Sequence, residues 1–362
     1  MAQKVYLLLA DGRYFEGTNF GAPVHDVTGE VVFTTGMVGY LEALTDPSYN
    51  GQIVIQTFPL VGNYGVIPED FESKKVWLSG YIVKEECTTP SNYRCGGDLD
   101  TFLKEQGIPA ISGIDTRAVT RIIREVGAMN GMITAKEPPY SDELLEEIRS
   151  FSVTHAVETV TPEKAEIFPA EGEKEFRVAL WDFGAKDNIR RELQKRGCEV
   201  IDLPAFTTAE ELMKYEPDGI MLTNGPGDPS ENVGVIAEIR KAADKKIPMF
   251  GICLGHQLMA LAMGAKTGKM KFGHRGANQP VKFLETNRIY ISSQNHGYEV
   301  KADSLPANAK LSFINVNDGT CEGIDYTDRP AFTVQFHPEA CSGPLDTRFL
   351  FDRFIENMKA AK

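Results

Sequence analysis

The sequence predicts an α/β protein in two parts, an N-terminal α+β domain over residues 1–172 and a mostly parallel α/β domain over residues 173–362. Three observations predict it. Up to about residue 135, short β-rich runs alternate with Gly, Pro and Asn turns. After about residue 175, strand and helix signals alternate at the spacing of crossover units. Between them, residues 161–175 are charged, carry prolines and hold almost no aliphatic side chains, which places a domain boundary near residue 172.

In the first part, Val5–Leu9, Val31–Thr35, Gln52–Phe58 and Val76–Val83 read as strands and Asp115–Val126 as a helix with an acidic start. A further helix is expected near Asp142–Ser150. In the second part the order is strand Val178–Phe183, helix Lys186–Arg196, strand Glu199–Leu203, helix Thr208–Tyr215 and strand Gly219–Thr223. Helix Val233–Ala243, strand Pro248–Gly251 and helix Gly255–Met263 follow. The runs Val281–Leu284, Arg288–Ser292 and Ala331–Phe336 add β content, and Asp346–Met358 closes the chain as an amphipathic helix.

With 362 residues, 42% hydrophobic and 25% charged, each part can bury a core. The net charge of -13, with no cluster of Lys and Arg, argues against a nucleic-acid partner. The apolar stretch near the N-terminus is too short for a signal sequence, and no run approaches membrane-spanning length, so the expected location is cytoplasmic. The six cysteines are scattered without a CxxC pair, which points to free thiols rather than disulfides or zinc.

One thiol stands out. Gly251-Ile-Cys253-Leu-Gly255 has the G-x-nucleophile-x-G form of a strand-to-helix elbow, in which small flanking residues permit a sharp turn. Cys253 at a helix N-terminus would have its thiolate favoured by unpaired N–H groups. A core cysteine between packing glycines explains the five residues equally well.

The apolar run ending in His337-Pro-Glu339 supplies what a thiol nucleophile needs, a base and an acceptor to orient it. Pro338 keeps His337 out of the helical region, so the two side chains project to one side. By itself the segment reads better as a surface turn after a strand. Thr223-Asn-Gly225-Pro-Gly227-Asp-Pro229 also ends an apolar strand, where backbone N–H groups could approach an oxyanion together with the amide of Leu254, or merely form a loop.

Together these segments resemble the class I, or triad, glutamine amidotransferases over about residues 175–360. The resemblance implies that Cys253 attacks the side-chain amide of glutamine, that His337 protonates the departing ammonia, and that Glu339 orients His337. It further implies that glutamine is held by Gln257, by the loop carrying Asn295, Gly297 and Tyr298, and by the backbone of Gly225, Gly227 and Leu254. Gln257 lies one helical turn beyond Cys253, which suits that assignment. Tyr298 stands where the family commonly has phenylalanine.

The first part resembles the N-terminal domain of the small subunit of glutamine-dependent carbamoyl-phosphate synthetases. The resemblance rests on FTTGMVGY (33–40), LTDPSYNGQ (44–52), GNYG (62–65), GIDTR (113–117) and, in the second part, WDFGAK (181–186). It implies that Ser48 reaches the glutamine pocket, although Asp46-Pro-Ser48 by itself is a turn with a capping hydroxyl. It also implies a large-subunit partner that joins the ammonia to bicarbonate for arginine and pyrimidine synthesis. ATP and magnesium are then expected only in that subunit, with no cofactor in this chain.

Other candidates are weaker. Gly264–Met270 mimics a phosphate loop but has the wrong glycine spacing, lacks the Ser/Thr and follows a helix. His256 and His296 are alternative bases, one beside the nucleophile and one inside the binding segment. Cys341 lacks elbow glycines, and Cys87 and Cys95 read as structural. His25, His155 and His274 stand apart from any ligand-spaced partner, so no metal is expected. The competing functions are a glutaminase subunit of GMP or anthranilate synthesis, against which the first part argues, and a catalytically silent regulatory subunit.

Overall fold

In the computed structural model, which describes residues 3–362, the chain divides into two units at Thr154–His155. The first unit carries β1 (Lys4–Leu9), β2 (Tyr14–Gly21), β3 (Val27–Thr34), β4 (Gln52–Gln56), β5 (Leu60–Val61), β6 (Gly80–Ile82), β7 (Glu85–Glu86), β8 (Pro109–Ser112) and β9 (Met129–Thr134). Its helices are α1 (Tyr40–Leu44), α2 (Leu99–Glu105), α3 (Thr116–Val126) and α4 (Asp142–Ser150).

Seven of these strands close a barrel in the order β1-β2-β8-β6-β4-β3-β9, with β9 pairing back onto β1, while β5 and β7 pair separately. Closure leaves the barrel no free edge. The helix starts are specified locally. The carboxylate of Asp115 accepts the Ala118 N–H at 3.0 Å to open α3, and Ser141 does the same for Leu144 at α4. The strand expected over Val76–Val83 shortens to β6, because Trp77 and Ser79 donate their N–H groups to Leu44 and Gln52 outside the ladder.

The second unit contains α5 (Ala156–Val160), β10 (Glu166–Phe168), β11 (Phe176–Asp182), α6 (Asp187–Gln194), β12 (Cys198–Pro204), α7 (Ala209–Met213), β13 (Gly219–Leu222) and α8 (Val233–Ala243). These are followed by β14 (Met249–Ile252), α9 (Leu254–Ala262), β15 (Thr267–Phe283), β16 (Arg288–Val300), β17 (Ala309–Asn315), β18 (Cys321–Tyr326), β19 (Ala331–Val334) and α10 (Phe349–Ala361). One sheet orders the strands β10-β12-β11-β13-β14-β19-β18-β17-β15-β16. The five central strands, β12 to β19, run parallel, as the strand-helix alternation predicts.

Antiparallel strands extend both sides. Apolar side chains cover both faces: Leu212, Ile239 and Leu258 from α7, α8 and α9 pack on one, and Ile189, Phe351 and Phe354 from α6 and α10 on the other.

Two differences from expectation concern the edges of this sheet. The unit begins at His155, ahead of the boundary expected near residue 172, and the charged stretch before that boundary supplies β10. Ile167 there pairs with Ile201 of β12 through the backbone while its side chain stays exposed, and the half-buried Phe168 packs on the core with the Arg190 guanidinium 4.0 Å from its ring centre, so backbone pairing and one aromatic ring dock an otherwise polar strand. The segment holding Asn295, Gly297 and Tyr298 is not a loop but the middle of β16, paired along β15 with register shifts. Its polar residues are buried by the sheet rather than exposed in a turn.

Candidate active site

The parallel strands run β12-β11-β13-β14-β19, so the chain order reverses direction beside β11, and the carboxyl ends around that switch are where such sheets build sites. Four strand ends contribute. The end of β14 bends at Cys253, whose φ of 53° and ψ of -104° place it in a region that non-glycine residues rarely occupy. Its N–H donates to the Val334 carbonyl of β19 at 2.9 Å, and its sulfur donates to the Asn295 carbonyl of β16 at 3.7 Å.

The flanking glycines are a steric requirement. A Cβ at Gly255 would lie 2.3 Å from the Leu222 carbonyl oxygen, and one at Gly251 would lie 2.8 Å from the Thr333 methyl. The elbow reading of G-x-C-x-G is therefore the geometry found. Cys253 is nonetheless 3% exposed, recessed rather than on an open surface.

His337 follows β19 and is fully enclosed. Its Nδ1 lies 2.7 Å from Glu339 Oε1, and its backbone N–H donates to the Ser293 carbonyl at 2.9 Å. Nε2 is buried without a hydrogen-bond partner of ordinary geometry, and the Cys253 sulfur interacts with the ring. Burial and the Lys186 ammonium both push the ring toward neutrality, but Glu339 and Cys253 outweigh them and raise its pKa to about 9. Burial likewise raises Glu339, yet His337 and Lys186 hold its carboxyl down at about 2. Lys186, Glu339 and His337 thus form a buried row of ionisable side chains in direct contact.

The end of β11 adds a residue to which the sequence assigned no role. Lys186 Nζ sits 3.2 Å from Glu339 Oε1, with the lysine side chain 9% exposed and the glutamate 0%. Its placement is built in steps. Asp182 accepts the N–H groups of Gly184 and Ala185, both at 2.6 Å, which folds the exit of β11. Asn224, after β13, accepts the Lys186 N–H at 3.1 Å and donates to the Gly184 carbonyl at 2.9 Å, tying the two strand exits together. The signal available in the sequence was position, a lysine just past the carboxyl end of a strand in such a sheet.

The remaining predicted residues divide by unit. Gly225 sits so close to the Phe183 carbonyl that a Cβ would meet it at 2.2 Å, and Gly227 takes φ +87°. Leu254 opens α9, where its N–H has no intrahelical acceptor. Gln257 donates both amide hydrogens, to the Tyr298 carbonyl and to Gln335 Oε1, each at 2.9 Å, which leaves the oxygen of its amide as the atom it can offer. Tyr298 thus acts here through its backbone, whichever ring it carries. Gln335 was missed as well, although a glutamine inside the apolar run FTVQF was a visible anomaly.

Ser48 belongs to the first unit, in the turn Pro47–Tyr49, with its N–H donated to Asp46 Oδ1 at 2.9 Å. The alternative bases fall away. Burial holds His256 down at about 3, with Nδ1 2.8 Å from Thr333 Oγ1. His296 is engaged by Tyr298 and Gln294.

Comparisons with known proteins give matches over both units. A family model for class-I glutamine amidotransferases matches residues 179–357, and one for the CPSase domain of the carbamoyl-phosphate synthase small chain matches residues 7–133. Among similar proteins is a carbamoyl phosphate synthase small chain from Fusobacterium nucleatum, 52% identical over 353 residues and 97% of each chain. One from Bacillus caldolyticus is 51% identical over 97% of this chain and 96% of its own. A pyrimidine-specific small chain from Bacillus subtilis is 49% identical over 98% and 96%.

Proposed function

Because the chain belongs to the carbamoyl phosphate synthase small-chain family and its second half is a class-I glutamine amidotransferase domain, we propose that it hydrolyses glutamine and passes the ammonia to a large synthase subunit. The observation that carries the reading is the strained Cys253 elbow beside the His337–Glu339 pair.

The chemistry follows from the geometry. With its proton on His337, the Cys253 sulfur attacks the side-chain carbonyl carbon of glutamine, and the negative oxygen that results is met by the N–H groups of Leu254 and Gly225. Collapse breaks the C–N bond as His337 gives its proton to the leaving nitrogen, releasing ammonia and leaving a thioester on Cys253. Water then attacks the thioester, His337 takes the water's proton, and glutamate departs from a regenerated thiolate. Glu339 stabilises the ring whenever it is charged, and Lys186 stabilises Glu339.

Gln257, presenting an oxygen, suits the substrate's α-ammonium, and Asn295, Gly297 and the Gly225–Gly227 backbone complete the second unit's binding set in this reading. The large subunit would hold ATP and magnesium and make carbamoyl phosphate from bicarbonate for pyrimidine and arginine synthesis. That assignment suits a cytoplasmic enzyme, and among the described residues no helix is long and apolar enough to cross a membrane.

The test is glutamate release by the full chain and by Cys253→Ser, alone and with the large subunit. Loss of glutamine-dependent synthesis with ammonium-dependent synthesis retained supports the reading. Equal glutamate release by both proteins refutes it, and no release by either makes the chain a regulatory subunit.

A further inference from the structure

On the antiparallel side of the second unit's sheet, β15 and β16 pair so that His274 stands directly opposite His296. The rings meet edge to face with centres 5.0 Å apart. Glu322 joins them from β18, and one ligand-type atom of each residue lies within 4.8 Å of those of the other two. His274, His296 and Glu322 are 6%, 5% and 0% exposed. The sequence had set His274 apart from any ligand-spaced partner; strand pairing supplies two from a distance.

Each of the three is gripped from outside. Asp318 Oδ2 lies 2.8 Å from His274 Nε2, the Tyr298 carbonyl 2.8 Å from His296 Nδ1, and Gln294 Nε2 donates to Glu322 Oε2 at 3.0 Å. Metal-binding histidines are held in this way, with one ring nitrogen donating to a carboxylate or carbonyl and the other left with a lone pair for the ion.

A second observation points to a cation. His296 Nε2 is 3.1 Å from the Gln294 amide oxygen. A neutral ring that donates Nδ1–H to Tyr298 has a lone pair at Nε2, so two acceptors face each other. Exchanging the oxygen and nitrogen of the amide moves the conflict to the Glu322 carboxylate without removing it.

We propose that His274, His296 and Glu322 form a binding site for a divalent transition metal ion of the zinc class. Two imidazoles and a carboxylate are ligands that zinc, cobalt and nickel accept. On binding, His274, whose Nε2 is held by Asp318 and whose Nδ1 lies 3.4 Å from Glu322 Oε1, turns its Nδ1 lone pair to the ion. Glu322 and Asp318 offset the ion's charge. The ion fastens β15, β16 and β18 beside Asn295, whose carbonyl meets the Cys253 sulfur. It would act as a structural clamp and enter no step of hydrolysis.

The experiment titrates the chelator-treated full chain with cobalt(II). The expected result is about one ion per chain, with visible ligand-field absorption and no sulfur charge-transfer band. Asp318→Asn, at a partly exposed side chain, should weaken binding by about 10–100-fold, and the near-isosteric Glu322→Gln by more. Cys253→Ser should bind as the wild type does. Failure of the wild type to bind, undiminished binding by Glu322→Gln with native circular dichroism, or loss of binding in Cys253→Ser would each overturn the proposal.

Discussion

The ammonium of Lys186 lies 3.2 Å from the carboxylate of Glu339, and Glu339 lies 2.7 Å from His337, so the histidine is tuned by a lysine that it competes with for the same oxygen. Lys186 lowers the pKa of both neighbours. Replacing it by methionine should therefore raise the His337 pKa further and move the alkaline limb of the kcat/KM profile for glutamine to higher pH. A limb that stays in place, or moves down, counts against the coupling.

Glu339→Gln has the opposite sign. With the carboxylate gone, burial and Lys186 act on His337 with less opposition, and the ring should lose its proton well below about 9. Glutaminase kcat should fall by about 10²–10⁴-fold, with the alkaline limb moved downward. Steady-state rates across pH decide it.

The same pair makes stability depend on pH. A raised His337 contributes stability that is complete below the unfolded histidine pKa of about 6.5 and lost as pH rises through about 9. A lowered Glu339 contributes stability present above its unfolded pKa of about 4.3 and lost as pH falls through about 2. The thermal midpoint of wild type relative to His337→Gln should be greatest in the window between those limits. A difference that is flat across pH would contradict it.

Gln335 is a positioning residue for Gln257. Gln335→Leu removes the acceptor for one amide hydrogen of Gln257 and frees that amide to rotate, so KM for glutamine should rise about tenfold, the loss of one hydrogen bond of roughly 1.4 kcal/mol, with kcat nearly kept. Gln335→Glu keeps an acceptor oxygen and should restore much of the affinity. Equal losses in kcat for both variants would point to misfolding instead.

Gly255→Ala tests the elbow. Its Cβ would press on the Leu222 backbone and Cβ, which cannot swing aside as a flexible side-chain end could, so stability should fall by at least about 1–3 kcal/mol in denaturant titrations. Gly234→Ala, in open space on α8, should be neutral or slightly stabilising.

What the sequence revealed of this architecture depended on how local the cause is. Helix α8 spans Val233–Ala243 as expected, and Thr208 with Glu211 forms the capping box that starts α7. The elbow, the HPE segment and the Gly-Pro-Gly loop were legible because each is a short run whose residue types answer a local need. The barrel was not, because β2 and β8 are interrupted or short runs whose pairing is decided by closure. Neither was the Lys186–Glu339 pair, nor the meeting of His274, His296 and Glu322, since strands far apart in the chain bring them together. The segment at Asn295 was mistaken for a loop because its polar residues are buried in pairs, which no single-strand pattern displays.

The pairing of β14 with β19 has a consequence for precision. Gly251 and Ile252 lie opposite Thr333 and Val334, and the Cys253 N–H closes the ladder on Val334 itself. The sulfur and the imidazole are thus set at fixed offsets along two adjoining rails of one ladder. A slip of a single residue would exchange inward for outward side chains and uncouple the pair, so the spacing between Cys253 and His337 is only as secure as the register of two four-residue strands.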